Sequence, residues 1–399
     1  MIPFDDALDA ILANCSPLST IHVAIEDAAG YFLADSLTTD AAIPAFSKSL
    51  VDGFAIKISD EHGGKQILEV VERVTAGEQS DRELNSGSAI RIMTGAPIPA
   101  GANAVVMFEN VTEISEHQIE LDLDSVSKGD LILRESSIAK CNETIRGIGT
   151  RIEAWQVGAL AENGHSELRV VRQPSIGIMT SGDEVIPHDQ TPQGPQIRNS
   201  NGPMIFSLAS RVSDQVQPIG HVADDAEAIR GTMKMGLQHD VLVITGGVSM
   251  GDLDLIPDSL EKLGVKKVFH KINLKPGKPV WFGVFEQDDH RCLVFGLPGN
   301  PVSSLVCFEL LVKPGILKLA GSTNPQPEWI QAELTADFHN RGNRKLFQAS
   351  TYCPRSNRIT PLPWKGSADQ ITIANANALA MFEAETKYAR GSEVTCVKL

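Results

Sequence analysis

Hydrophobic positions along this chain change their rhythm from segment to segment, and the change marks out its architecture. Residues 241–244, Val-Leu-Val-Ile, form an unbroken apolar run of the kind that makes a strand covered on both faces. Thr245-Gly-Gly follows, and then Leu255, Ile256, Leu260 and Leu263 recur at helical spacing, with Pro257 in the first turn and Gly264 where a C′ residue belongs. A strand therefore runs into a glycine-rich turn and then a helix. The same alternation surrounds it: strands at 176–179, 216–222 and 292–296, helices at 203–212, 225–237 and 301–312, the last with Asn300 as N-cap and Pro301 at the first helical position. Such alternation predicts a doubly wound parallel sheet with helices on both faces.

The flanking segments read differently. Phe4, Ala7, Leu8 and Ile11 carry helical spacing, residues 21–25 are extended, and from about 45 to 132 β-branched runs are broken by Gly and Pro, as in a small all-β unit. After Gly321-Ser-Thr-Asn-Pro-Gln-Pro327 short strands return and predict a β-barrel. The expectation is a multidomain α/β protein with four parts: 1–44 together with 133–171, a β-rich part at 45–132, an α/β domain at 172–321 and a C-terminal β-barrel at 322–399. There is no internal repeat.

Length agrees, since 399 residues exceed what one core supports and imply roughly two to four domains. The formal charge of −15, with a pI near 5.1, argues against nucleic acid or an anionic membrane as the main partner. An anionic ligand must then meet a local basic cluster. No run of about 18 apolar residues occurs, and the start Met-Ile-Pro-Phe-Asp-Asp is acidic where a signal peptide is basic, so a cytoplasmic protein is expected. Cys15, Cys141, Cys292, Cys307, Cys353 and Cys396 form no C-x-x-C pair and predict neither zinc nor a disulfide framework.

The candidate chemistry gathers at one edge of the predicted sheet. Gly246, Gly247 and Gly251 permit positive φ and let backbone N–H groups approach a phosphate. Asp252 and Asp254 would repel a bare phosphate, a conflict that a bridging divalent cation resolves. A rival lies in the same residues, because Gly247-Val-Ser249-Met-Gly251 fits the G-x-S-x-G elbow of serine hydrolases; three residues separate Thr245 from Ser249, where an elbow strand would lead almost directly into the serine. Thr180-Ser-Gly-Asp-Glu184 and Asp224-Asp225 follow neighbouring strands, and read either as ordinary caps or as metal and substrate ligands. Lys275-Pro-Gly-Lys278-Pro279 supplies positive charge on a stiff turn, either an anion site or an exposed basic loop.

Six collinear blocks carry a resemblance across essentially the whole chain. They are Pro44-Ala-Phe-Ser-Lys-Ser-Leu-Val-Asp-Gly-Phe-Ala-Ile56, Arg91-Ile-Met-Thr-Gly-Ala-Pro-Ile-Pro-Ala-Gly101, Ser181-Gly-Asp-Glu184, Thr245-Gly-Gly-Val-Ser-Met-Gly-Asp-Leu-Asp254, Lys275-Pro-Gly-Lys-Pro279 and Gly296-Leu-Pro-Gly-Asn-Pro-Val-Ser-Ser304. Together they resemble the molybdopterin molybdenumtransferases, the family that includes the E domain of gephyrin. The resemblance implies insertion of molybdenum from molybdate into adenylated molybdopterin, with Mg²⁺ and release of AMP, by an elongated homodimer. Molybdopterin adenylyltransferase and apo-molybdoenzymes are the protein partners it implies. By position, Asp254 matches the acidic residue needed for the adenylated substrate; Glu184 and Asp225 match acidic cleft residues and, with Asp254, the implied metal ligands. Asp52 and Thr94 match residues offered from the partner's β-rich part, and Gly246, Gly247, Ser249 and Asp252 fall in the substrate loop. Lys275, Lys278 and Pro279 match the molybdate site, which Arg344 and Ser367 would complete. These donors suit a tetrahedral dianion.

The chain also departs from the family pattern. Arg134-Glu-Ser-Ser-Ile-Ala-Lys-Cys-Asn142 replaces Arg-x-x-Gly-Glu-Asp, so Glu135 would stand in for the lost Asp; Asn343-Arg-Lys-Leu-Phe-Gln-Ala349 lacks a second arginine, and Lys365-Gly-Ser-Ala-Asp369 replaces Gln-Gly-Ser-Gly. The alternative is accordingly a catalytically impaired paralogue that serves as a molybdopterin-binding scaffold.

Overall fold

A computed structural model describes residues 1–59, 63–248 and 255–399. The chain divides into two compact units, one of Met1–Asp35, Ile148–Val157 and Glu167–Leu399, the other of Ser36–Gly147 and Gly158–Ser166.

The second unit is built on a six-stranded sheet in which Gly53–Ile56 lies between Ala104–Met107 and Ser88–Ile92, followed by Lys65–Val74, Gln118–Asp122 and Thr112–Ser115. Its two faces are covered separately, one core around Phe54, Ile56 and Leu68, the other around Ile90, Ile92 and Val105. Gly53 is required where strands meet closely, because a Cβ there would fall 1.9 Å from the Val106 carbonyl oxygen.

The first unit opens with α1 (Phe4–Ala13), which buries Phe4, Ala7, Leu8 and Ile11 as its spacing predicts. Its central sheet contains β1 (Ile176–Ser181), β2 (Val216–Val222) and β3 (Val241–Thr245), interleaved with α2 (Asn201–Ala209) and α3 (Ala226–Gly236). Next come α4 (Leu255–Lys262), β4 (Lys266–His270), the two-residue β5 (Leu274–Lys275), β6 (Trp281–Gln287) and β7 (His290–Leu297). The sheet order is β2-β1-β3-β7-β6-β4. β2, β1, β3 and β7 are parallel, as the alternation predicts; β6 joins β7 antiparallel and β4 joins β6 antiparallel, so that β6 alone runs against the others. These two extra strands surround the Lys-Pro-Gly-Lys-Pro turn, whose prolines and charges broke the pattern that would have revealed them.

Residues on β3 alternate between two cores, which is why its sequence is apolar throughout. Val241 and Val243 pack with Ile178, Phe295 and residues of α1 and α2; Leu242 and Ile244 pack with Met179, Val294 and the inner faces of α3 and α4. Asp225 is the N-cap of α3, accepting from the N–H groups of Glu227 (3.1 Å) and Ala228 (2.8 Å), an interaction worth about 1 kcal/mol. The helix predicted at 301–312 is α5 (Pro301–Cys307) followed by a π-helical turn (Phe308–Val312), and the chain continues past the predicted end as α6 (Lys313–Leu319). Asn300 precedes α5 with extended backbone and makes no side-chain cap bond.

The C-terminal segment contains β8 (Trp329–Leu334), β9 (Lys345–Cys353), β10 (Arg358–Pro361), α7 (Gln370–Ala374), β11 (Ala378–Phe382) and β12 (Glu393–Lys398). β9 pairs with both β10 and β11, so the strands close into a five-stranded barrel, with β8 and β12 completing the ring. β5 adds to β9 in parallel, with Lys275 opposite Leu346, and so ties the basic turn to the barrel.

Candidate active site

The glycine turn after β3 is shaped by what lies beneath it. Gly246 (φ +96°) and Gly247 (φ +59°) both take left-handed backbone. A Cβ at Gly246 would lie 2.6 Å from the Ser181 carbonyl oxygen, and one at Gly247 would lie 2.7 Å from Ile256 Cγ1. Only glycine fits either place. The turn is anchored on the far side by Gly246 N–H, which donates to Leu297 O at 3.2 Å.

A cleft of about 600 Å³ opens here, lined among others by Ser181, Glu184, Arg198, Asn201, Gly247 and Asn300. Glu184 is exposed and its carboxylate folds over Gly182, where a Cβ would come within 2.8 Å of it. Arg198 is the only lysine or arginine among the described lining residues, and its Nε donates to Gln190 O at 2.9 Å. Two buried polar atoms at the cleft have no hydrogen-bond partner, Ser181 Oγ and Asn201 Oδ1. Asn201 Nδ2 donates to Gly299 O at 2.7 Å, which fixes the amide with its acceptor unused. A site with donors and acceptors left unpaired is suited to a polar ligand, since buried polar groups ordinarily find partners.

The basic residues form a separate cluster. Arg344 Nη1 donates to Leu274 O at 2.8 Å, beside exposed Lys275 at the end of β5. Lys278 is exposed, and its carbonyl accepts from Ile272 N–H at 3.0 Å. Pro279 follows in the same turn, which is packed against α5: a Cβ at Gly277 would lie 2.5 Å from Cys307 Sγ. Ser367 meets the other end of α5, its carbonyl accepting from Val302 N–H at 3.1 Å. Its neighbours Ala368 and Gln370 line the cleft, whereas Lys275, Lys278, Pro279 and Arg344 are not among its lining residues. In the other unit Asp52 and Thr94 are joined, with Thr94 N–H and hydroxyl both donating to Asp52 Oδ1.

Two family descriptions match the chain in succession: the MoeA N-terminal region (domain I and II) over residues 2–164, and a probable molybdopterin binding domain over residues 177–318. A molybdopterin molybdenumtransferase of Staphylococcus epidermidis is 31% identical over 100% of this chain and 95% of its own length. This chain belongs to that family. It is a molybdopterin molybdenumtransferase by kinship, and its work is molybdenum cofactor biosynthesis. The Staphylococcus aureus relative is also 31% identical, over 95% of this chain and 91% of its own. Among solved structures, a molybdopterin biosynthesis MoeA protein of Pyrococcus horikoshii superposes with a TM-score of 0.84 at 28% identity, covering 100% of both chains.

In this molybdenumtransferase the expected site residues fall in separate places, Asp52 and Thr94 being paired in the other unit. Gly246, Gly247 and Glu184 line the cleft. Lys275, Lys278, Arg344 and Ser367 lie around α5 and β5, and Asp225 caps α3 with its carboxylate rather than lining the cleft. Ser249, Asp252 and Asp254 lie outside the described residues. Among the described residues no three His, Cys, Asp or Glu side chains gather to hold a metal, and Asp254, the third expected ligand beside Glu184 and Asp225, lies outside them. Sequence reasoning missed Arg198, Asn199 and Asn201, and named Ser181 only within the Thr180–Glu184 segment. The polar run Arg198-Asn-Ser-Asn201 before a helix was the available signal.

Proposed function

We propose that this enzyme takes molybdenum from molybdate into adenylated molybdopterin and releases AMP, acting as a homodimer in the cytoplasm. The observation that carries the reading is the glycine turn held over Ser181, opening on a cleft with one arginine and two unpartnered polar atoms. Backbone N–H groups of such a turn suit the phosphate oxygens of the adenylated substrate, and Arg198 adds charge at the same place. Lys275, Lys278 and Arg344, with the Ser367 hydroxyl, are the donors for molybdate. The four-part division of the chain and the Mg²⁺ requirement belong to the same proposal, the latter turning on Asp254.

The rival is a paralogue that holds molybdopterin as a scaffold without turning it over. It draws support from Asp225, whose carboxylate is engaged in a helix cap, and from the Glu135 segment, where the family's Gly-Glu-Asp is lost. One experiment separates the two. The gene should restore molybdoenzyme activity in a strain lacking its own insertase, and Asp254→Ser should abolish both that rescue and AMP release. Binding of molybdopterin without rescue would establish the scaffold.

A further inference from the structure

Val248 leaves the glycine turn held at two points. Its side chain is buried in the core that contains Ile256, Leu260 and Trp281. The seat exists because β7 carries glycine at 296, where a Cβ would lie 2.7 Å from Val248 Cγ1 and 3.2 Å from Trp281 Cβ. Its carbonyl is met by His270 Nε2 at 3.1 Å. A carbonyl can only accept, so Nε2 carries the proton in this bond.

His270 is half-buried and ends β4, the edge strand of the central sheet, opposite Trp281 of β6. The lysine turn begins at the next residue. Lys271 N–H donates to Val280 O at 2.9 Å and Ile272 N–H to Lys278 O at 3.0 Å, so residues 271–280 close on themselves with Lys275 and Lys278 inside the loop. Lys271 takes left-handed backbone (φ +70°), which is uncommon for a residue with a Cβ and persists only where its surroundings impose it. One imidazole therefore joins the end of the glycine turn to the start of the lysine turn. The cleft is lined by Gly246 and Gly247 and not by the lysines, so the spacing of the two turns is a matter of how their backbones are tied together.

We propose that His270 is a positioning residue for the transfer reaction, holding the glycine turn in register with the lysine turn so that the donors on each are kept at one spacing. The inference rests on the function proposed above. His270 acts through the Val248 carbonyl rather than on a substrate. Misplacing reacting groups by about 1 Å costs on the order of a hundredfold in rate, whereas each turn, left whole, keeps its own affinity. Loss of the bond should therefore appear in kcat and not in binding.

Steady-state AMP release from adenylated molybdopterin and molybdate by the full chain, with thermal melting of each variant, tests it. His270→Leu should lower kcat by about tenfold or more, while the half-saturating concentrations of both substrates stay within about twofold. His270→Gln should restore most of kcat, because its amide nitrogen reaches the Nε2 position; His270→Asn, whose amide reaches only as far as Nδ1, should not. The comparison of Gln with Asn stands even where the Leu variant folds poorly. An unchanged kcat in His270→Leu, with or without a lower melting temperature, overturns the positioning role and leaves the transfer function standing, as does a Gln variant no faster than Asn. Natural protein that binds adenylated molybdopterin and releases no AMP overturns the transfer function, and this role with it.

Discussion

Asp52 accepts two hydrogen bonds from Thr94 on a single carboxylate oxygen, from the backbone N–H and from the hydroxyl, each at 2.7 Å. The N–H contributes most and the hydroxyl next to holding the Asp52 carboxyl below the usual aspartate range, on a side chain that is fully exposed. The pair therefore orients the Asp52 carboxylate.

Thr94→Val removes the hydroxyl donor and keeps the backbone one. The Asp52 carboxyl should then titrate closer to an ordinary aspartate, and turnover should fall if the oriented charge serves the reaction. Because the folded value is depressed, the pair's support is present above the ordinary aspartate range and is lost only as pH falls through the depressed value. Carboxyl carbon NMR titration of both proteins reads the shift. Coincident curves would show that the hydroxyl contributes nothing.

The glycine turn offers a sharper test. Gly246→Ala must accept a left-handed backbone and a Cβ 2.6 Å from the Ser181 carbonyl oxygen. The expected outcome is a stability loss of about 1–3 kcal/mol in urea unfolding, with AMP release reduced at least tenfold in the molecules that remain folded. Wild-type turnover would remove the turn from the substrate site.

Lys275 and Lys278 are exposed on a turn held by β5 and α5, so their ammonium groups are free of any packing role. Replacing both with Ala should raise the molybdate concentration at half-maximal rate by about tenfold or more, since hydrogen bonds to charged groups contribute about 1.5–3 kcal/mol each. The melting temperature should stay the same. An unchanged molybdate dependence would place the oxyanion elsewhere.

Arg172 grips Asp240 with two bonds of 2.7 Å, and Ser175 adds its N–H and hydroxyl at 2.8 Å each. Burial pushes the Asp240 carboxyl up, but the Arg172 and Ser175 bonds outweigh it and hold the group below its ordinary value. Asp240→Asn should cost about 2–3 kcal/mol at pH 7, less than a fully buried pair because Arg172 is about a third exposed. The depressed value means this stabilisation is full above the ordinary aspartate range and disappears as pH falls below it. Urea melts at pH 7 and near pH 3 should therefore differ more for the natural protein than for the variant.

Much of the architecture is legible in local patterns. The run at 241–244 becomes β3 with residues pointing alternately into two cores, and Gly246 and Gly247 take the left-handed backbone that their lack of a Cβ permits. Burial period and turn chemistry are properties of a few adjacent residues, so a sequence can display them directly. The capping of α3 by Asp225 was equally plain, yet the same local signal could not say whether that carboxylate was also available to a metal.

Tertiary structure alone decided which distant residues share a site. Ser181, Arg198, Asn201 and Gly247 come from separate elements and meet only because β1 and β3 are parallel neighbours whose carboxyl ends face the same cleft. Lys275 comes beside Arg344 because the two-residue β5 attaches to β9, a pairing too short to leave a periodic trace. The strands β4 and β6 were hidden for a related reason. Hydrophobic period reports that a strand is covered, but the choice of neighbour, its direction and its register depend on contacts with chain far away in sequence.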